Sequence, residues 1–361
     1  MILVNYSVNF PFAFSLLKHS DWNGCTIADI VFPFFLFAVG SALVFSKAKV
    51  EDSTTQFYIG KVVRRAAILF FFGIIISWAP FIKFTQENTI AIRSSIRIMG
   101  ILQRIALCYF IVAMLTKFFK ENSLYIISIS ILLFYWFIVY YYGDNQDPYG
   151  ISGFAGIKFD LAILGKNHVH LDKGIMLDPE GLLSTTSAIV VVIAGFLFSN
   201  YVVSHKKNIR LVIVSCLIGI GLIVVGLIWG QFFPINKKMW TSSYTVFTTG
   251  IAIILISIFI YWFDIKMIKN KAAEVFEIFG KNPLFIFLLS EIIMRFLNLI
   301  RIRSTLPNTD PVNLFSWMYI HSFQQLTSNN SINALLFDLA FVTFYWLIAR
   351  FLDKRKIYFK V

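Results

Sequence analysis

Charge and cysteine are both scarce in this chain. Only 14% of its 361 residues are charged. Three cysteines occur, Cys25, Cys108 and Cys216, each in or at the edge of an apolar run and without CxxC spacing. That pattern suggests neither a zinc site nor a disulfide framework. The five histidines form no HExxH or similar ligand set, so no metal is expected. No secretory cleavage signal opens the chain. The two halves share no spacing of the kind that marks an inverted-repeat transporter.

Apolar residues are abundant instead: 58% are hydrophobic and 17% aromatic. No soluble domain of this length needs so much apolar surface. Runs of about 20 apolar residues recur, each long enough to cross a bilayer as a helix. The runs are continuous rather than alternating, which selects helices over a barrel. We expect an all-α, polytopic transmembrane bundle forming one integral-membrane domain over residues 1–361, with about ten spans.

The first run, Met1 to Phe10, is only a stub. A complete first helix would need roughly ten more residues upstream, so this span is expected to be incomplete at its start. The others are Cys25–Ser46, Val62–Ile82, Ile98–Phe119, Leu124–Tyr142, Gly181–Val203, Leu211–Gly230, Thr241–Phe263, Ala272–Leu297 and Ile332–Leu352. A long polar connection, Gly143–Asp178, separates the fifth run from the sixth.

The net charge of +13 invites a nucleic-acid reading, which the placement of the cations rejects. Lys47, Lys49, Lys61, Arg64 and Arg65 lie in one connection. Lys117 and Lys120, Lys206 to Arg210, and Lys266 to Lys271 lie in others on the same side, with Arg350 to Lys360 at the tail. Such short, dense clusters are orientation signals. They predict a cytoplasmic C-terminus and an extracytoplasmic His19 loop, although Lys83, Arg93 and Arg97 run against the trend.

Ionisable groups within spans are costly and mark cavities or partners. Asp29 sits one turn into the second run, where Thr26-Ile-Ala-Asp29 also fits a capping box. Arg104 lies two turns into the fourth run and has no capping role. Asp178 and Pro179 fit an N-cap and first helical position, while Glu180 beside them is less constrained. Gly280-Lys281-Asn282-Pro283 breaks the ninth run and places a buried cation beside a polar cavity. Glu291 and Arg295, four apart, form a pair. Asn5, His19, Asp29, Arg104, Glu180 and Ser242 come from different runs, yet all fall in the outer half of the membrane. A histidine at that level suits acid–base work near neutral pH.

Six segments carry a family resemblance: LVNY (Leu3–Tyr6), HSDWNGCTIADIVFPFFLF (His19–Phe37), RIMGILQRIALCY (Arg97–Tyr109), DPEGLLST (Asp178–Thr185), PINKKMWTSSY (Pro234–Tyr244) and GKNPLFIF (Gly280–Phe287). Taken together, they resemble the heparan-α-glucosaminide N-acetyltransferase family, polytopic acyltransferases with many bacterial members. The resemblance implies transfer of an acetyl group from cytoplasmic acetyl-CoA to the amine of a glucosamine-type sugar across a membrane. It implies that His19 is the active-site histidine and Asn5 its partner. Asp29, Arg104, Glu180, Ser242, Lys281 and Asn282 would bind substrate or acetyl-CoA, or support the site. A bacterial inner-membrane location and a homodimer follow by analogy, with an amino-sugar acceptor and membrane lipid as partners. The chain lacks the charged Arg-Gly segment that usually precedes LVNY in the family. The competing expectation is a sugar or amino-sugar permease without transferase chemistry, which a broken ninth span would suit.

Overall fold

The computed structural model describes residues 1–7, 9–48, 54–84, 90–92, 95–172, 174–268, 270–302 and 311–359. Among them the chain is a helical bundle. The helices are α1 (Ile2–Ser7), α2 (Ile27–Ala48), α3 (Thr55–Trp78), α4 (Ile101–Phe118), α5 (Glu121–Tyr142), α6 (Ala155–Leu164) and α7 (Leu182–Ser204). They continue as α8 (Ile209–Trp229), α9 (Ser242–Phe259), α10 (Lys271–Lys281), α11 (Pro283–Leu299), α12 (Leu314–Ser322) and α13 (Asn330–Lys354). A π-helical turn, Ile260–Ile265, extends α9. The only strands among the described residues are two short antiparallel pairs. All ten apolar runs have a helical counterpart, so the bundle is all-α and polytopic.

Seven of these helices are long and apolar enough to span a membrane. Two runs fall short for visible reasons. The α1 stub has six residues. In α3, Lys61, Arg64 and Arg65 occupy the first half. The ninth run is sharply bent: α10 and α11 meet at 81°. Asn282 interrupts the helix and Pro283 restarts it at the first helical position, where its missing N–H costs nothing.

The centre of the bundle is α7, which packs against α2, α4, α5 and α9. It meets α2 at very close range. A Cβ on Gly195 would lie 2.1 Å from Phe37 O, and one on Gly40 would lie 2.0 Å from Val192 O. Only glycine allows the two backbones to approach so closely. A second core joins α1 to α12 and α13 through Tyr6, Phe10, Phe315, Tyr319, Phe337, Phe341 and Tyr345.

The spans define two ends. At one, Thr26, Gly100, Gly181 and Thr241 precede the starts of α2, α4, α7 and α9. At the other lie Lys47, Lys61, Lys117, Lys120, Lys206, Lys207 and Arg210, among which Lys47 Nζ donates to Thr116 O at 2.9 Å. We call them the histidine end and the basic end. Lys49, Arg93, Lys173, Lys269 and Lys360 lie outside the described residues.

Candidate active site

The histidine end is built from loops that hold one another. In the loop before α2, Gly24 takes φ 109°, a conformation open to glycine but strained for other residues. Its N–H donates to Ile235 O at 2.8 Å, and Asn236 Nδ2 donates to Asn23 Oδ1 at 3.2 Å. Asn236 Oδ1 in turn accepts from Met239 N–H at 2.9 Å, and its backbone carbonyl accepts from Thr241 N–H at 3.1 Å. That turn places Lys237 against the histidine loop.

His19 Nδ1 lies 2.8 Å from Asp29 Oδ1. The other carboxylate oxygen, Oδ2, accepts from Thr26 N–H at 3.0 Å and Ser20 N–H at 3.1 Å, with Thr26 Oγ1 also 3.0 Å away. The expected capping box is therefore present in its N3-to-N-cap half, and the same acid orients the imidazole. A carboxylate so satisfied stays ionised and takes Nδ1–H as its partner, which leaves Nε2 as the lone-pair nitrogen. Asp29 is fully buried, whereas the His19 side chain is 35% exposed, so the ring is held from behind and open in front. Tyr244 donates from its hydroxyl to Asp29 O at 2.6 Å and fixes the same turn from α9.

Lys237 completes the group. Its Nζ lies 3.0 Å from His19 Nδ1, 3.3 Å from Nε2 and 3.5 Å from Asp29 Oδ1. Near-equal reach to both nitrogens means that the ammonium does not lie along either lone pair. Burial pulls the Lys237 pKa below the ordinary lysine value, against the opposing pull of Asp29 and Glu180. Lys237 is absent from the candidate residues that the sequence singles out, although it lies within the PINKKMWTSSY segment. Its signal was a cation on the end where cations are sparse.

A second cluster stands behind the first. Arg97 Nη2 donates to Asp178 Oδ1 at 2.6 Å and its Nε to Asp178 Oδ2 at 3.0 Å, while Glu180 is also bonded to Arg97. Burial works against the Glu180 charge, but Arg97 and then Arg104 hold its pKa below the usual carboxylate range. The N-cap role expected of Asp178 is overturned. Arg97 draws it away, and α7 starts at Leu182, where Asp160 Oδ1 accepts the Leu182 N–H at 2.9 Å. Burial lifts the Asp160 pKa to about 6, against the backbone hydrogen bonds it accepts. Arg104 is fully buried. It donates to Thr185 Oγ1 and Gly181 O at 3.2 Å each and to Ser184, and its guanidinium lies 4.8 Å from the centre of the Trp240 ring. It touches no carboxylate, and its Nη1 has no partner among the described residues. Arg104 thereby ties α4 and α7 to the loop that carries Lys237.

Other expected members are placed elsewhere. Asn5 Nδ2 donates to Glu291 Oε1 at 2.6 Å, so its amide serves α11 and not His19. Glu291 also pairs with Arg295 at 3.5 Å, as the spacing predicts. Ser242 is buried and donates to Leu132 O at 2.7 Å, which makes it a link between α9 and α5. Lys281 is not the deep cation expected from the broken run. It is 34% exposed and pairs with Asp353 and Glu277, each at 3.1 Å. Asn282 exchanges hydrogen bonds with the tail, donating to Ile357 O at 3.0 Å and accepting from Phe359 N–H at 2.9 Å. These two residues sit at the far end of α13, whose start touches Phe12 through Ser331 Oγ at 2.6 Å. At 1.5 Å per residue, Ser331 and Asp353 are roughly 33 Å apart. The GKNP segment is therefore at the basic end.

The comparisons with known proteins agree with the motifs. Residues 2–155 match the family model described as heparan-alpha-glucosaminide N-acetyltransferase, catalytic. Two curated relatives carry the name heparan-alpha-glucosaminide N-acetyltransferase. The one from Mus musculus is 25% identical and the one from Homo sapiens 24%, each aligned over the whole of this chain. The chain spans 58% of the length of each relative. Its resemblance to the heparan-alpha-glucosaminide N-acetyltransferase family, a family of acyltransferases, thus rests on a match over residues 2–155 as well as on the six motifs.

Proposed function

We propose that the protein is a transmembrane N-acetyltransferase, moving the acetyl group of acetyl-CoA to the amine of a glucosamine-type sugar at the histidine end. The observation that carries this reading is the pair His19–Asp29, with Nδ1 engaged at 2.8 Å by a fully buried carboxylate and the ring otherwise accessible. The cations concentrated at the opposite end favour a cytoplasmic basic end and an extracytoplasmic histidine end. The membrane would then be the bacterial inner membrane.

The chemistry needs a base. A sugar ammonium is not a nucleophile and must lose a proton before it attacks the thioester carbonyl. In the direct route, that first proton leaves to water, and His19 Nε2 takes a second from the amine nitrogen as the C–N bond forms. The C–S bond then breaks, and the imidazolium returns the proton to the CoA thiolate. In the two-step route, Nε2 attacks the thioester and CoA thiolate leaves; the free amine then attacks the acetyl-imidazolium, the acetyl–Nε2 bond breaks, and the freed Nε2 takes the amine's proton. Asp29 serves both routes, since a negative charge on Nδ1–H stabilises the cationic ring formed in either. Lys237 Nζ, 3.0 Å from Nδ1 and 3.5 Å from Asp29 Oδ1, ties the ring and its acid to the loop before α9. Glu180 and Arg97 present paired charges that suit recognition of a polyhydroxylated amine.

The test uses purified protein, acetyl-CoA labelled in the acetyl group, and free glucosamine. We expect label on the sugar amine with wild type and none with His19→Ala. Label held on wild-type protein without sugar selects the two-step route. Equal product from both proteins would overturn the assignment of His19.

A further inference from the structure

At the basic end, the ends of α2, α4, α5 and α7 surround a cavity of about 820 Å³, none of whose lining residues belongs to the His19 cluster. Lys47, Lys117 and Lys120 line it from three positions. Among the described residues none of the three is ion-paired. Lys47 Nζ gives one hydrogen bond to Thr116 O at 2.9 Å, which leaves two of its three donors. Its ammonium also lies 5.6 Å from the centre of the Phe196 ring, which floors the cavity. The one lining carboxylate, Glu121, is occupied by Asn200 Nδ2 at 2.5 Å. The first turn of α5 lines the same space; Ser123 and Leu124 N–H donate to Lys120 O, which leaves the Glu121 and Asn122 N–H groups facing outward from the helix start.

The rim identifies the source of the anion. Phe118 and Phe119 line the cavity and are exposed, as is Ile126 just beyond it on α5. An outer surface of that kind faces hydrocarbon, not water. A ligand there must present a phosphate to the lysines while its apolar part lies along α5. We propose that this cavity binds the phosphate headgroup of an anionic glycerophospholipid and so pins the ends of α2, α4, α5 and α7 together. Basic pockets between spans commonly recognise such headgroups. The site is at the opposite end from His19, and its occupancy does not depend on the transferase reading.

The experiment measures lipid retained by the purified full chain in detergent micelles containing either phosphatidylglycerol or phosphatidylcholine, read by native mass spectrometry. Wild type is expected to retain phosphatidylglycerol in clear preference, and Lys117→Gln/Lys120→Gln to lose about tenfold of that preference. Lys206→Gln/Lys207→Gln, at the same end but outside the cavity, is expected to keep it. Thermal melting confirms that each variant folds, and the exposed single change Lys120→Gln stands in if the double does not. Equal retention of both lipids by wild type would overturn the proposal, as would equal loss in the control variant. Displacement of phosphatidylglycerol by CoA or inorganic phosphate at matched concentration would assign the cavity to a soluble phosphate and overturn the lipid.

Discussion

The His19 loop and the GKNP segment look alike as sequence. Each is a polar interruption of an apolar run, each contains a proton-carrying or cationic side chain, and each belongs to a family motif. The structure treats them differently. His19 meets Asp29 from α2 and Lys237 from the loop before α9, while Tyr244 from α9 braces the Asp29 backbone and Arg104 from α4 lies over Trp240 of the Lys237 loop. Around Lys281 the partners are Glu277 one turn back and Asp353 at the end of α13, while its neighbour Asn282 binds the chain's own tail. Convergence of distant segments on an accessible titratable ring builds a place for chemistry. A break that binds its own terminus builds an anchor.

The largest way to sharpen that contrast is His19→Ala, expected to lower acetyl transfer by about 10³-fold while leaving the melting temperature near wild type, since the ring is partly exposed. Asp29→Asn follows. The amide can no longer hold Nδ1–H without presenting its own donor, so transfer should fall by roughly 10²-fold. That variant should also melt earlier, because Asp29 satisfies Ser20 and Thr26 N–H groups within a buried turn. If Asp29→Asn changed stability alone, the acid would be a cap and nothing more.

Lys237→Met is expected to be subtler and readable in pH. The Lys237 Nζ lies 3.0 Å from His19 Nδ1, and burial lowers its pKa below the ordinary lysine value, so wild type loses this charge as pH rises towards the alkaline side. Wild-type kcat/KM should therefore carry an alkaline limb that Lys237→Met lacks, with the two profiles furthest apart near neutral pH and converging at high pH. Profiles of identical shape would show that Lys237 only braces the loop.

Local patterns were readable without coordinates, and long-range partners were not. The ten runs appear as helices because apolar length is a property of each segment alone. The Thr26–Asp29 box and the Glu291–Arg295 pair are likewise short-range and are present. Asp178 failed as a cap because Arg97, 81 residues away, outcompetes a helix start for its carboxylate. Asn5 was matched to His19 by resemblance, yet its amide meets Glu291, 286 residues along the chain. Lys237 reaches His19 across 218 residues, a contact that hydropathy and spacing cannot encode.

The smallest expected effect tests the anchor. Asn282→Ala removes two hydrogen bonds to the tail, at about 1 kcal/mol each, and Phe285 still stacks on Phe359 with ring centres 4.4 Å apart. Lys281→Gln removes only two partly exposed ion pairs, for which less is expected. Both variants should keep transfer within a few-fold of wild type, while Asn282→Ala exposes the chain after Asp353 to faster proteolysis. A rise in the KM for acetyl-CoA with an unchanged KM for the sugar would contradict this. It would mean that the basic-end break also contacts the donor substrate, and that the two polar interruptions are the two ends of one reaction path rather than a site and an anchor.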